Sequence, residues 1–446
     1  MEYILRNAFW VNEGKCEKGG LHLKDGKIAA VLDEREAGLM PGAADAKVCD
    51  LQGAYVFPGV IDDHVHFREP GLTHKGCIAT ESAAALRGGV TSFMDMPNTK
   101  PQTLTQELLR QKYDMAAQSS LVNYSFYMGC SEDNLAEVLL TDPETVCGIK
   151  LFLGSSTGNM LVRNPLYLQQ LFKEAPTLIA VHCEDEEIIS RNTVLFKERY
   201  GMSAPFSVHP QIRSEAACLK SSAMAAELAH KYGRHLHLLH ISTAKELNLI
   251  DSQTVTGEVC ANYLWFSQED YETKMWRIKC NPAIKTAADR EALRQAVKEG
   301  RVNVATDHAP HTLAEKEKPY FECPSGTPGV QHSLPLMLEL AHQGVFTLPE
   351  VAEAMCHRPA RIFGIKGRGF LRPGYAADLA VVNPDEVWTV EASNIAYACG
   401  WSPLQGQSLH GKVRATFVNG TPVYQDGEII APDHRGERLL FERASS

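Results

Sequence analysis

Two histidines separated by one residue, His64 and His66, follow an apolar run (56–61) and the acidic pair Asp62-Asp63. In a β-strand, residues i and i+2 project from the same face, so both imidazoles can reach one metal ion. Arg68 continues the alternation, and Pro70-Gly71 then stops any regular element. A strand ending in two same-face histidines and a cation suits the floor of a metal site that receives an anion. An H-x-H pair alone also occurs as ordinary surface or core histidines, so its context must decide.

That context is a set of polar residues placed in or just after other apolar runs. Lys150 stands inside Gly148-Ile-Lys-Leu-Phe-Leu153. Burial disfavours an ammonium and drives it toward the neutral amine. Beside divalent metal, a neutral amine can take up CO2 to form a carbamate whose two oxygens bridge a pair of ions. A snorkelling lysine and a Schiff-base nucleophile are the other readings, and neither accounts for the histidines. His182 closes the run 177–182, ahead of Cys183-Glu184-Asp185. Of the three histidines in 235–240, His240 alone lies at the run's end, while His235 and His237 read as structural. Asp307 tips the run that leads into His308-Ala-Pro-His311.

The expected metal ligands are therefore His64, His66, Lys150, His182, His240 and Asp307, each at the tip of a strand. Nitrogen and oxygen donors without sulfur suit Zn2+, with Mn2+ or Co2+ as alternatives. Two ions bridged by a carbamate and a hydroxide would provide a nucleophile at neutral pH and a Lewis acid for a carbonyl. This combination points to a metal-dependent hydrolase.

Eight strand-like runs could position these groups: 56–61, 90–96, 123–128, 147–153, 177–182, 235–240, 254–259 and 302–306. Amphipathic stretches separate them. In 214–232, for example, Ala217, Ser221, Met224 and Leu228 recur at helical spacing. Alternating β and α units of this number predict an α/β chain folded as a (β/α)8 barrel of the TIM type, with chemistry at the strands' C-terminal ends. An open doubly wound sheet is disfavoured, because no glycine-rich phosphate loop follows the first run. Strand character also marks both chain ends, with Asp25-Gly26 and Asn419-Gly420 as hairpin turns. The expected organisation is residues 1–54 and 366–446 pairing into one small composite β-sandwich domain, beside a barrel over 55–365. The tail from Asp433 is polar and reads as loose.

Composition narrows the partners. The 446 residues are 44% hydrophobic and 22% charged, with a net charge of −10 and no Lys/Arg block. Nucleic acid and anionic membranes are poor fits to that charge. No stretch is apolar for long enough to span a membrane. The twelve cysteines are scattered without a C-x-x-C pair, which fits a reducing cytoplasm rather than a disulfide framework.

The segments HVHFREPG, DMPNT (95–99), GIKLFLGSSTGNML (148–161), HLLHIST (237–243), CNPAIK (280–285), TDHAPH (306–311) and PGYAADLAVV resemble the dihydroorotase branch of the amidohydrolase superfamily. The resemblance spans nearly the whole chain. It implies a binuclear zinc centre and reversible cyclisation of N-carbamoyl-L-aspartate to L-dihydroorotate in pyrimidine synthesis. It further implies that His64 and His66 hold the more buried ion and His182 and His240 the other, with carboxylated Lys150 and a hydroxide as bridges. Asp307 would be both ligand and proton shuttle. Arg68, Asn98 and His311 match positions that hold the substrate carboxylate, and Asn281 matches a pyrimidine-ring contact. The expected partners are this small-molecule substrate and further copies of the chain, as a dimer or tetramer. Aspartate transcarbamoylase is a candidate partner as well.

Two departures stand out, the first being Lys150 where some dihydroorotases have an aspartate near the bridging position. Many relatives carry a His-His pair after strand seven, where this chain has Asn262-Tyr263. A tyrosine there is more reminiscent of hydantoinases and allantoinases. The neighbouring reading is therefore a dihydropyrimidinase/hydantoinase or allantoinase, whose substrates lack the ring carboxylate that Arg68 would grip. A non-catalytic partner of aspartate transcarbamoylase is disfavoured, because such a barrel would be expected to lose ligands. The charged loop 312–320 reads as solvated rather than as a lid.

Overall fold

The computed structural model describes residues 1–39, 46–154 and 160–443; residues 155–159 of the 148–161 segment lie outside the described residues. Strands β1 (Glu2–Asn12), β2 (Lys15–Lys24) and β3 (Lys27–Asp33) form an antiparallel meander, with β4 (Lys47–Asp50) parallel to β1. Asp25 and Gly26 join β2 to β3 with φ of 52° and 80°, the doubly left-handed backbone that a type I′ turn requires. Next, β5 (Tyr55–Pro58) pairs parallel with β1.

The barrel begins one residue later. Its strands are β6 (Val60–Val65), β7 (Val90–Asp95), β8 (Asn123–Phe126), β9 (Met128–Gly129), β10 (Ile149–Phe152), β11 (Ile179–His182), β12 (Leu236–Leu238), β13 (Val255–Cys260) and β14 (Asn303–Ala305). They pair in parallel as β6-β7-β8 and β9-β10-β11-β12-β13-β14. Because β8 and β9 are two halves of one strand separated only by Tyr127, the described residues hold eight strand positions. His66 N–H donates to His308 O at 2.7 Å and joins the last strand to the first. Every residue of β6, β7, β8, β10, β11 and β13 is buried. Helices cover the outer face while side chains fill the inner one, so even the polar residues of these strands, such as Asp62, Asp63, Lys150 and Glu258, are buried.

The first run does not form one strand. Gly59 divides 56–61 between β5, in the accessory sheet, and β6, in the barrel. A Cβ at Gly59 would lie 2.0 Å from Thr91 Oγ1, so glycine lets the chain pass between the two sheets. The run looked uniform because both halves are buried: Phe57 and Val60 share one core, while Val56 packs in the accessory-sheet core and Ile61 in a third cluster.

At the far end, β15 (Leu379–Thr389), β16 (Ser408–Val418), β17 (Thr421–Gln425) and β18 (Glu428–Ile429) form an antiparallel ribbon. β15 pairs with β5, which makes one nine-stranded sheet from both chain ends. The tail is not loose through residue 443. Leu439 N–H donates to Tyr124 O at 2.9 Å, and the Leu439 and Phe441 side chains are fully buried. No helix among the described residues is long and apolar enough to cross a membrane.

Candidate metal centre

His64 lies inside β6 and His66 one residue past it; His182 is the last residue of β11; His240 and Asp307 follow β12 and β14 by two residues. Lys150 differs from the expected strand-tip position, because it sits one residue into β10. A lysine stem is long enough to bring Nζ up to the level of the other groups. All six line one cavity of about 300 Å³, together with Arg68, Asn98, Asn281 and Arg213. That size lies at the small end for ligand pockets and suits a compact substrate. A larger groove of about 880 Å³ between the outer helices contains no histidine and no strand-tip cluster.

The donor atoms converge. Asp307 Oδ1 lies 3.2 Å from His64 Nε2 and 3.0 Å from His66 Nε2. Across the cavity, His182 Nδ1 faces His240 Nε2 at 2.8 Å. Lys150 Nζ is fully buried, 4.5 Å from the Phe152 ring centroid, and has no hydrogen-bond partner among the described residues. A buried amine left without a partner is costly, and its place among convergent nitrogen and carboxylate donors fits a metal centre. Arg68, His240 and Asp307 all adopt positive φ (71°, 41° and 47°). Such backbone is uncommon outside glycine and concentrates at functional sites.

Each histidine on the first strand has a backing group. His66 Nδ1 is 2.7 Å from Asn98 Oδ1, so Asn98 orients the His66 ring as well as lining the cavity. His64 Nδ1 is 2.6 Å from Glu258 Oε1. On the other side, Glu184 Oε2 lies 3.1 Å from His182 Nε2 and is ion-paired with Arg213. Sequence reading did not single out Glu258, Glu184 or Arg213. The available signal for Glu258 was a carboxylate inside the apolar run 254–259. His237 is fully buried away from the cavity wall, with Nε2 at 3.4 Å from both Asp63 Oδ2 and Glu258 Oε2.

His311 stands one layer behind the wall rather than on it. Its Nε2 is 3.2 Å from Arg68 Nη2 and 3.1 Å from Ser325 O, while its Nδ1 accepts from Lys75 Nζ at 3.0 Å. Asn281 lines the cavity, and its Oδ1 has no hydrogen-bond partner among the described residues. Asn262 and Tyr263 do not line it. Instead the Tyr263 hydroxyl donates to Pro282 O at 2.7 Å and braces the Asn281 loop from inside the core.

Within the charged loop 312–320, Leu313, Ala314, Glu317, Lys318 and Pro319 are exposed, as the solvated reading expects, but Lys316 departs from it. Lys316 is fully buried and its ammonium donates to the carbonyls of Lys279, Pro324 and Gly326 at 3.1, 2.9 and 2.9 Å. Three carbonyls replace the water that this one ion gave up, which offsets part of the cost of burying it.

Burial lowers the Lys150 pKa to about 7, against partial support from Asp307 and Glu258. It lowers His66 to about 4 and Arg68 to about 10, so at neutral pH the imidazole is neutral and the guanidinium is charged. Asp307 is pushed up by burial, but His64, His66 and Lys150 outweigh that and leave its pKa lowered. The cavity thus offers imidazoles of lowered basicity at His66, His182 and His240, a neutralisable amine, a carboxylate and two guanidinium groups, Arg68 and the Glu184-paired Arg213.

The amidohydrolase family model matches residues 55–159 and 165–423. The chain belongs to the amidohydrolase family. Among its relatives in that family, a dihydroorotase of Pyrococcus abyssi is 32% identical over 99% of both chains. A dihydroorotase of Halobacterium salinarum is 33% identical, covering 93% of this chain and 98% of its own. An allantoinase of Solibacter usitatus is 32% identical over 100% of this chain and 98% of its own. Among solved structures, the L-hydantoinase (dihydropyrimidinase) of Arthrobacter aurescens superposes with a TM-score of 0.91 at 28% identity, covering 96% and 97% of the two chains. Family membership makes the chain a metal-dependent cyclic amidohydrolase of small-molecule substrates.

Proposed function

We propose that this amidohydrolase is a dihydroorotase, which interconverts N-carbamoyl-L-aspartate and L-dihydroorotate for pyrimidine synthesis. The observation that carries the reading is Arg68, a buried guanidinium on the wall of the cavity that holds His64, His66 and Asp307. A ring carboxylate needs a planar cation, and a guanidinium can meet it with two parallel hydrogen bonds. Hydantoins and allantoin carry no carboxylate at that ring position and give a buried arginine nothing to pair with.

In this reading His64 and His66 hold one Zn2+ and His182 and His240 the other, with carboxylated Lys150 and Asp307 completing the set. When bound, the two ions supply a nucleophile at neutral pH and a Lewis acid for the ring carbonyl. Arg68 fixes the substrate carboxylate, with His311 behind it and Asn98 alongside, and Asn281 takes a ring polar group. In hydrolysis Asp307 accepts the nucleophile's proton and delivers it to the departing ring nitrogen; in cyclisation the same proton travels the other way. Residues 55–365 form the catalytic unit, with 1–54 and 366–446 as the accessory sheet that 55–58 also joins. A dimer or tetramer, aspartate transcarbamoylase as a candidate partner, and a cytoplasmic setting complete the proposal. The twelve unpaired cysteines support that setting.

An assay of carbamoyl-aspartate and dihydroorotate against hydantoin, dihydrouracil and allantoin tests the substrate. Turnover on the two acids alone is expected. Turnover confined to the neutral ureides would make the chain a hydantoinase or allantoinase. A metal count of zero after incubation with Zn2+ and bicarbonate would make it a non-catalytic barrel.

A further inference from the structure

Beneath the cavity lies a buried charged cluster that the proposed chemistry does not use. Glu258 Oε1 accepts from His64 Nδ1 at 2.6 Å and also from the backbone N–H of His240 at 3.0 Å. His240 reaches that contact because its backbone is left-handed, φ 41°, just past the end of β12. One oxygen atom therefore touches a residue from each of the two proposed ligand pairs. The other oxygen, Oε2, faces His237 Nε2, which also faces Asp63. Asp63 is held in turn by both hydrogens' worth of contact from Asn303 Nδ2, at 2.9 and 3.0 Å. All of these side chains are completely buried.

We infer that Glu258 is a shared positioning residue: through one carboxylate oxygen it sets the ring orientation of His64 and the backbone placement of His240, and so couples the two ion sites. Nδ1–H of His64 is spent on the carboxylate, which leaves the Nε2 lone pair for the cavity side, where Asp307 lies. His237 Nε2 lies 3.4 Å from Oε2 without a hydrogen bond among the described residues, so the carboxylate is held through Oε1. The contrast is Glu184, whose contact with the candidate ligands is to His182 alone. The inference rests on the two-ion reading above.

The test is metal release. Zn2+-loaded wild-type chain titrated with a competing chelator first establishes whether two ions bind, which checks the two-ion reading without any variant. Glu258→Ala is expected to release both ions at roughly 10- to 100-fold weaker chelator competition, the usual cost of losing a backing group. Glu258→Gln keeps an acceptor and should shift both by about tenfold, with the Co2+-substituted absorption spectrum altered. Glu184→Gln should weaken one ion only. A purely structural role would lower the unfolding midpoint of the metal-free chain and leave release from the folded protein unchanged. Wild-type release in Glu258→Gln, or weakening of a single ion, overturns the inference. If Glu258→Ala does not fold, the Gln variant decides alone.

Discussion

Arg68 Nη2 lies 3.2 Å from His311 Nε2, a residue 243 positions further along the chain. Lys75 can only donate, so His311 Nδ1 accepts and Nε2 carries the hydrogen, which goes to the Ser325 carbonyl. The ring is therefore neutral and offers the guanidinium no acceptor. Burial, with Arg68 and Lys75 nearby, holds the His311 pKa well below its ordinary value. What braces the arginine is the Pro310 carbonyl, which accepts from Arg68 Nε at 3.0 Å, while its charge remains for a ligand.

Replacing that charge should act on substrate selection. Ionic hydrogen bonds contribute about 1.5–3 kcal/mol, so Arg68→Met is expected to lower kcat/KM for dihydroorotate roughly tenfold to hundredfold. Hydantoin hydrolysis should not fall with it. Arg68→Lys keeps the charge but not the fork and should recover only part. Equal losses on acidic and neutral substrates would count against a carboxylate-binding role.

Asp307→Asn tests the proton shuttle. Its Oδ1 already contacts two histidines, and an amide oxygen can replace it as a ligand but cannot carry the proton. The variant should retain metal and lose at least about a hundredfold in kcat, within the range for general acid–base groups. Near-normal turnover removes Asp307 from that step.

Lys150 predicts a pH dependence. Burial brings its folded pKa from 10.5 to about 7, so the amine is protonated below that pH and neutral above it. Only the neutral amine attacks CO2. Metal-free protein given isotopically labelled bicarbonate should therefore show a carbamate carbon resonance above about pH 7 and lose it below. Lys150→Arg should show none at any pH.

Lys316→Met tests the anchored loop. It would strand three buried carbonyls, and unsatisfied buried groups cost about 1–3 kcal/mol each before relaxation. A drop of roughly 2–4 kcal/mol in urea unfolding is expected. Proteolysis within 312–320 should rise in parallel. An unchanged midpoint would mean that water replaces the ammonium.

The residues that converge on the cavity and the barrel that carries them were legible in the sequence because they are local patterns. A histidine or lysine interrupting an apolar run is visible within six residues, and the β–α alternation repeats along the chain. The division at Gly59, the anchoring of Lys316 and the layer in which His311 sits were not legible. Each depends on what packs against it from elsewhere: Thr91 beside Gly59, distant carbonyls around Lys316, Arg68 in front of His311. Glu258 is the clearest case, since it meets His64 across 194 residues. In one dimension a carboxylate in a strand is only an exception to an apolar pattern. Closing the barrel makes it a neighbour of both proposed ion sites, because parallel strands bring residues of the same height together whatever their separation in sequence.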